Sequence, residues 1–500
     1  MAEGRSGFKK IMLISPPLRF GLLSARSMTP PLGLLYVASN VRDLADVVVL
    51  DAFAEGFDTI RTHDARTQVS GMEDCDILRR IEECRPDIVG ISCLFSISFP
   101  VAARLFREIR RRFPEIITVA GGGHVSCLPE IVMEENPAID YIVIGEGEKS
   151  FRDLIVCLDN GHRPAEVDGV AYRLGGQVIV NKKEVFLGKL DELPRPSWDL
   201  VPVESYRSNC LLLQYMMPGA GPHGLLQFSR GCPHGCLFCA TTRFWGSRHR
   251  QRDVRLVLDE MEELVGRYGF RSLSFVDDNF MINKRRAIEL MEGMIERRIN
   301  VPWFPMGLDF EHLDEETLSL MWRSGCRSLC LSLESGSTTI ISRYMQKPHD
   351  LEKARRIIES AQKMGFRFLL NFMVGFPEET RNTLQETFDY IKTLSGGVFQ
   401  FNMVSPFAGT ALERECRETG SLSGDFDYTE LSHTRSFIKT RDFTPNELTR
   451  HVQRKQLLLL LYLFFRHPLG GVKSSLPLLK SSFVAREFLR LSWVRVIGRV

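Results

Sequence analysis

The sequence predicts an α/β protein of two parallel-sheet domains in succession: a doubly wound sheet, then a partial barrel of six β/α units with a helical tail. Three observations predict it. The chain has 500 residues, too many for one ordinary hydrophobic core. Short apolar runs alternate with helical stretches twice, once up to residue 185 and again from residue 223. A proline-rich stretch without a clear period separates the two series.

The first series has apolar runs at 10–15, 47–51, 87–92, 116–120 and 141–144. A helical stretch starts near Pro31, and the clearest helix covers 100–112. Near-continuous apolar runs of this length suit strands covered by helices on both faces, and five of them make a flavodoxin-like sheet. Two β-rich runs around Gly175-Gly176 then read as a hairpin, which closes a first domain at 1–185. Residues 186–222 read as a linker. The second series has strands at 225–229, 272–276, 303–306, 328–333, 366–374 and 398–404. Its helices cover 253–268, 284–298, 314–323, 351–364 and 380–393. Six such units at 223–412 form three quarters of a barrel, whose chemistry belongs at the C-terminal ends of the strands. A basic, helical region is expected over 413–500, with the capping box Thr444-Pro445-Asn446-Glu447 inside it.

Composition excludes several function classes. Lys and Arg number 64 against 62 Asp and Glu, so a net charge of +2 draws the chain to no nucleic acid. The hydrophobic share of 44% and charged share of 25% are those of a globular protein. The apolar run at 11–14 stops at Pro16-Pro17, too short for a signal peptide, and the longest apolar stretch, 457–465, falls short of the ~20 residues of a membrane span. A cytoplasmic location is expected. Twelve cysteines without an export signal are not a disulfide framework. Cys75, Cys84, Cys93, Cys127, Cys157, Cys210 and Cys416 are scattered and read as small buried hydrophobes.

Cys232, Cys236 and Cys239 are not scattered. They follow the first barrel strand in a loop rich in Gly and Pro. Three thiolates within eight residues can wrap one corner of an iron–sulfur cube, and without a fourth ligand nearby one iron stays open to a substrate. The alternative is zinc with His234 as fourth ligand, which strains a tetrahedron inside so tight a loop and lacks a second CxxC.

The run Ser229-Arg230-Gly231-Cys232-Pro233-His234-Gly235-Cys236-Leu237-Phe238-Cys239 resembles the signature loop of the radical S-adenosylmethionine superfamily. The resemblance implies a [4Fe–4S] cluster on the three cysteines. The amino and carboxylate groups of S-adenosylmethionine would chelate the open iron, and one electron would cleave the sulfonium to a 5′-deoxyadenosyl radical that takes hydrogen from an unactivated carbon. It places Phe238 near the adenine. Asp277 and Asp278, after the second strand, would hold the methionine ammonium, while helix capping by Asp278 or Asn279 is the plainer role. Ser332-Leu333-Glu334-Ser335-Gly336 resembles the family's LESGS segment, whose glutamate accepts from the ribose hydroxyls. The segment around Gly375-Phe376-Pro377-Glu378-Glu379-Thr380 resembles GFPGET but departs from it at Asn371 and Glu378, and Pro406-Phe407-Ala408-Gly409-Thr410 resembles PFPGT.

The first domain resembles the cobalamin-binding domains joined to such barrels. Ser92-Cys93-Leu94 follows the third strand and Gly121-Gly122 the fourth, where that family carries SxL and GG around the nucleotide tail of the corrin. Small residues at these turns let a bulky group approach the sheet. Gly145-Glu146-Gly147-Glu148 matches the family's GEGE segment. The family's cobalt-ligating histidine belongs after the first strand, where this chain has Pro16 and Pro17 in its stead. Asp51-Ala52-Phe53 only faintly resembles that motif, so cobalamin is expected without a protein histidine on cobalt. His124 is expected to steady its turn.

The tail from His451 carries nine Lys or Arg and one acid, Glu487, among apolar residues. It fits a cap over the barrel mouth or contact with an anionic membrane surface or lipid. Together these resemblances imply a cobalamin-dependent enzyme that methylates an unactivated carbon, with a low-potential flavodoxin or ferredoxin as reductant. A small molecule or a polyprenoid lipid of the hopanoid type is the expected substrate. The run 243–250 also resembles the anaerobic magnesium-protoporphyrin ester cyclases, which close a ring instead. A tRNA methylthiolase would need a second cysteine set, and a cobalamin sensor would leave the triplet idle.

Overall fold

A computed structural model describes residues 7–21, 26–207, 211–217, 221–394 and 396–466. Five parallel strands form the first sheet: β1 (Lys10–Ser15), β3 (Asp46–Asp51), β6 (Ile88–Ser92), β7 (Ile117–Gly121) and β8 (Tyr141–Val143). Their spatial order is β3-β1-β6-β7-β8, the flavodoxin-like order that the five apolar runs predict. The hairpin β9 (Val170–Leu174) and β10 (Gln177–Asn181) extends the sheet antiparallel at the β8 edge. Both faces are covered by apolar cores, one against Leu35, Tyr36 and Leu154, the other against Phe99, Phe106 and Ile109.

One element has no counterpart among the apolar runs. β2 (Leu18–Gly21), β4 (Ile60–Thr62) and β5 (Thr67–Ser70) form a separate three-stranded antiparallel sheet inserted after the first two parallel strands. Strands of three or four residues with mixed polarity carry no period that a sequence window detects.

The barrel is two three-stranded parallel sheets, β11 (His223–Leu226), β14 (Ser272–Phe275), β15 (Trp303–Pro305) and β16 (Ser328–Glu334), β17 (Arg367–Val374), β18 (Val398–Met403). Parallel bridges at Trp303–Cys326 and Leu308–Leu331 join the halves. The expected first strand, 225–229, is in fact split. β11 ends at Leu226, and Ser229–Arg230 becomes β12, which pairs antiparallel with β13 (Arg250–Gln251) and brackets the cysteine loop.

The linker is not featureless. The helix Leu211–Met216 lies at the N-terminal end of the barrel, where Ser328 Oγ donates to Met216 O at 2.5 Å and Arg367 Nη1 to Tyr215 O at 2.7 Å. Earlier in the linker, Tyr206 OH donates to Asp51 Oδ2 at 3.0 Å, tying the barrel's approach to the first domain.

The tail differs from a continuous helical region. After the helix Ala411–Glu418, residues 419–444 are largely irregular and reach back to the first domain, where Arg19 Nη2 meets Glu430 Oε1 at 2.6 Å. Helix Pro445–Arg466 then starts at the capping box: Thr444 N donates to Glu447 Oε2 at 2.9 Å and Glu447 N to Thr444 Oγ1 at 3.4 Å. Among the described residues no helix is long and apolar enough to cross a membrane. The basic, apolar stretch 483–500 lies outside the described residues.

Candidate active site

The cysteine loop, residues 231–249, is anchored at both ends by the two-residue ladder and in its middle by neighbouring helices. Gly231 begins it at φ +85°, and a Cβ there would stand 2.5 Å from Arg248 O. Leu237 N donates to Tyr344 O at 3.0 Å, and Leu412 N to Leu237 O at 2.9 Å, so the loop is stapled between the fourth and sixth barrel units. All three cysteines are free and half-buried. Burial pushes the Cys232 thiol up to about 11, and the other two thiols add to the shift. Burial also raises Cys236, against the opposing charge of Lys347.

Among the described residues no three His, Cys, Asp or Glu side chains converge to hold a single metal ion. His234, the fourth ligand of the zinc alternative, directs Nε2 toward Asp309 Oδ2 at 4.0 Å, and both atoms are buried without a hydrogen bond. Three free, half-buried thiols on one loop are the donor set of a cuboidal cluster, in which each thiolate takes a different iron. The donor set therefore fits a [4Fe–4S] group.

The acids after β14 hold the loop and cap no helix. Asp277 accepts from Ser229 Oγ and, at 3.2 Å, from Phe228 N. Asp278 accepts from Gly231 N and Thr241 Oγ1, each at 3.1 Å. Burial raises Asp277 to about 7 and raises Asp278 more weakly.

Phe238 meets Phe376 edge-on at 5.8 Å, and Phe376 stacks on Tyr344 at 4.4 Å, so the aromatic of the loop rests on the GFPEET segment. Glu334 ends β16 in the left-handed region, φ +58°, and accepts from Lys347 Nζ at 3.0 Å. Although burial opposes it, the carboxylates of Glu334 and Asp309 hold Lys347 above its ordinary value. A left-handed backbone on a non-glycine residue is strained and persists only where the surroundings hold it.

Two expected cofactor residues are turned to other partners. Ser335 is buried, its hydroxyl 3.1 Å from Thr387 Oγ1 and accepting from Ser337 N. Gly375 N donates to Glu379 Oε2 at 3.0 Å, and a Cβ there would meet Leu448 at 2.8 Å, so its glycine serves packing.

In the first domain, Ser92 and Gly121 are paired at the ends of β6 and β7. Gly122 takes φ +103°, where a Cβ would stand 3.0 Å from the Cys93 carbonyl carbon, and a Cβ on Gly123 would stand 2.7 Å from Leu94 O. The two turns interlock and leave Leu94 and Phe95 57% and 54% exposed at the sheet's C-terminal edge. Apolar side chains uncovered beside a turn without bulk fit the face and tail of a corrin. Pro16 is half-buried. Pro17 is buried, and a Cβ on Gly71 would reach it at 2.7 Å, so its ring faces the inserted sheet. His124 Nδ1 lies 3.0 Å from Ser96 Oγ and its ring 4.3 Å from Phe99; burial lowers it to about 4 and its place is in the turn. Asp51 caps the short helix that follows it, and Phe53 is in the core, so neither resembles a cobalt site.

The two halves of the site meet. Within the cysteine loop, helix Thr241–Trp245 brings Phe244 to the glycine turns: a Cβ on Gly123 would lie 3.6 Å from Phe244 Cζ, and one on Gly145 3.3 Å from Phe244 O. Gly145 and Gly147 flank Glu146, whose carboxylate accepts from Arg230 and Arg250. Sequence reasoning quoted Arg230, Glu148 and Arg250 within motifs but gave them no role of their own, and it missed Asp309 and Lys347. Arg230 stands next to the signature cysteines, a readable signal; Lys347 lies in a loop with no pattern of its own.

Two family models match the chain: a B12 binding domain over residues 18–155 and the radical SAM superfamily over residues 226–391. An uncharacterized methyltransferase of Pyrococcus horikoshii is 29% identical over 89% of this chain and 91% of its own length. Cytidylyl-2-hydroxyethylphosphonate methyltransferase of Streptomyces wedmorensis is 29% identical over 86% of each chain. The anaerobic magnesium-protoporphyrin IX monomethyl ester cyclase of Rubrivivax gelatinosus is 26% identical over 89% of this chain and 76% of its own. The fold is that of the cobalamin-dependent S-adenosylmethionine radical enzyme OxsB, solved with aqua-cobalamin and S-adenosylmethionine bound: TM-score 0.70, 17% identity, 98% of this chain and 76% of that one.

Proposed function

Because this chain joins a B12 binding domain to a radical SAM domain, and is thereby a cobalamin-dependent radical SAM enzyme using a [4Fe–4S] cluster, S-adenosylmethionine and cobalamin, we propose that it methylates an unactivated carbon of a small molecule. The observation that carries the reading is the docking of the cysteine-loop helix on the glycine turns of the first domain, which sets both cofactor sites on one edge. When bound, the cluster would supply the electron that cleaves S-adenosylmethionine, and cobalamin would carry the methyl group. Cys232, Cys236 and Cys239 would hold the cluster. Asp277 and Asp278 keep their loop in shape, and Asp278 retains lone pairs for the methionine ammonium. Glu334, fixed by Lys347 through one oxygen, would offer its second oxygen to a ribose hydroxyl. Phe238 and Phe376 form an apolar wall for the adenine.

The barrel interior bears on the substrate. Ser332, Asn371 and Gln400 are register partners across β16, β17 and β18, half-buried on the face opposite the helix-packed Phe372 and Phe401. Asn402 lies two residues on and accepts from Gln400 Nε2 at 3.0 Å. A row of uncharged hydrogen-bonding side chains favours a substrate with hydroxyl or amide groups over a polyprenoid. The lipid reading draws on the basic tail alone.

The test uses anaerobically reconstituted protein, dithionite and S-adenosylmethionine labelled in its methyl group, with cell extract as substrate source. The expected result is 5′-deoxyadenosine together with carbon-bound label in the aqueous fraction. Label confined to the lipid fraction moves the substrate to the polyprenoid class. 5′-Deoxyadenosine without transferred label turns the reading to ring closure, and protein that binds no corrin ends methyl transfer.

A further inference from the structure

We propose that Glu146 is a positioning residue: it ties the base of the cysteine loop to the first domain and so sets the separation between the cluster and the corrin. This rests on the assignment of the two cofactor sites made above.

The argument begins in the ladder. β12 and β13 place Arg230 directly opposite Arg250 at the two ends of the cysteine loop. Like charges facing each other across a strand pair repel, so this bracket needs a shared anion. Glu146, from the first domain, supplies it: Oε1 accepts from Arg250 Nη1 at 2.7 Å and from Arg230 Nη1 at 3.3 Å. Arg230 Nη2 donates to Glu148 Oε1 at 2.5 Å, which balances the charge of the cluster of four. Oε2 of Glu146 accepts from Leu187 N at 2.8 Å, so both of its oxygens are engaged by protein. The Arg230 guanidinium is further enclosed by the rings of Trp245, at 4.7 Å, and Tyr36, at 5.3 Å.

Arg230 and Glu146 are 2% and 1% exposed. A buried ion pair contributes little stability compared with apolar packing of the same volume, but leaving one partner unpaired is heavily penalised. What it enforces is one relative placement of the two domains, since any slip strands a charge. The placement matters because a continuous path runs through it. Ser126 Oγ donates to Gly122 O at 2.8 Å, Gly145 N donates to Ser126 Oγ at 2.9 Å, and Glu146 then reaches Arg230, the residue before Gly231. The glycine turn of one cofactor site and the cysteine loop of the other are thus joined by three hydrogen bonds and the Gly145-Glu146 peptide bond.

The test compares Glu146→Gln and Glu148→Gln in the full chain. In cofactor-free protein, backbone amides of residues 231–249 are followed by hydrogen exchange. Glu146→Gln is expected to speed their exchange about tenfold, and Glu148→Gln less, because it leaves the shared anion in place. In protein loaded with cluster and cobalamin, the magnetic interaction between cob(II)alamin and the reduced cluster is read by EPR. A changed interaction in Glu146→Gln at wild-type iron and corrin content is the expected result; a purely structural role would lower the folded yield and leave this signature alone. Wild-type exchange together with a wild-type EPR interaction overturns the proposal. So does a larger effect from Glu148→Gln. If Glu146→Gln does not fold, Glu146→Asp, which keeps the charge but draws it back by one methylene, is measured by the same exchange and EPR experiments, and the same outcomes support or overturn the proposal. Should wild-type protein bind no corrin, the cofactor reading fails, and the exchange arm still decides whether Glu146 holds the loop.

Discussion

At Gly231 the conformation and the surroundings make the same demand. The residue sits at φ +85°, and a methyl group would come within 2.5 Å of a backbone oxygen, so Gly231→Ala must reshape the start of the cysteine loop. About 1–3 kcal/mol of strain is expected, read as iron content well below wild type after anaerobic reconstitution. Glu379 offers a pH-dependent prediction. Burial raises its carboxyl from 4.5 to about 7, while Gly375 N and Thr383 Oγ1 donate to it. A folded-state value above the unfolded one means that the group's contribution is complete below pH 4.5 and is lost as pH climbs through about 7. The loss is about 3 kcal/mol. Urea unfolding between pH 4.5 and 7.5 checks this: Glu379→Gln should flatten the decline, and an equally steep decline in the variant would sink the assignment.

Among the elements, the turns that end β6 and β7 have no tolerance for bulk. Gly122→Ala would place a methyl group 3.0 Å from the Cys93 carbonyl carbon at φ +103°. Corrin content after reconstitution is expected to fall severalfold, and by more than the iron content; equal corrin content would detach this turn from cobalamin. The helix Pro445–Arg466 has a simpler test. Removing its cap by Thr444→Ala is expected to cost about 1 kcal/mol, read as a lower Tm with the cluster loaded as before. How legible each element was follows from its length. Four of the five strands of the first sheet, with five or six residues each, and the long barrel helices span two or more periods of their pattern. The ladder β12–β13 has two residues per strand, and the inserted strands β2, β4 and β5 have three or four, so neither carries a period at all.

Across the whole molecule the two domains are joined on separate fronts of different character. The Glu146 cluster is fully buried. The contact from the tail, Arg19 with Glu430, leaves the Glu430 side chain 33% exposed and shares Arg19 with Asp64 at 2.9 Å. Arg19 is itself buried but keeps Asp64 when Glu430 is lost, so the partly exposed Glu430 contributes about 1 kcal/mol, screened by salt. Glu430→Ala is therefore expected to leave the global Tm nearly unchanged while making residues 419–444 more open to proteolysis, and added salt should reproduce the effect in the wild type. A clear drop in Tm would contradict the ranking of the two contacts.

The sequence by itself determined the local chemistry: three cysteines within eight residues, glycines at strand ends, and the order of apolar runs that yields two parallel sheets. Each depends on neighbours in the chain or on a periodic pattern, and both survive in one dimension. Only the tertiary structure decided which polar groups face a cofactor and which face each other. Ser335 and Glu146 sit in motifs that point to a ligand, yet Ser335 is taken by Thr387 and Glu146 by two arginines more than eighty positions away. A buried charge must find its partner wherever folding brings one, and no spacing along the chain records where that is.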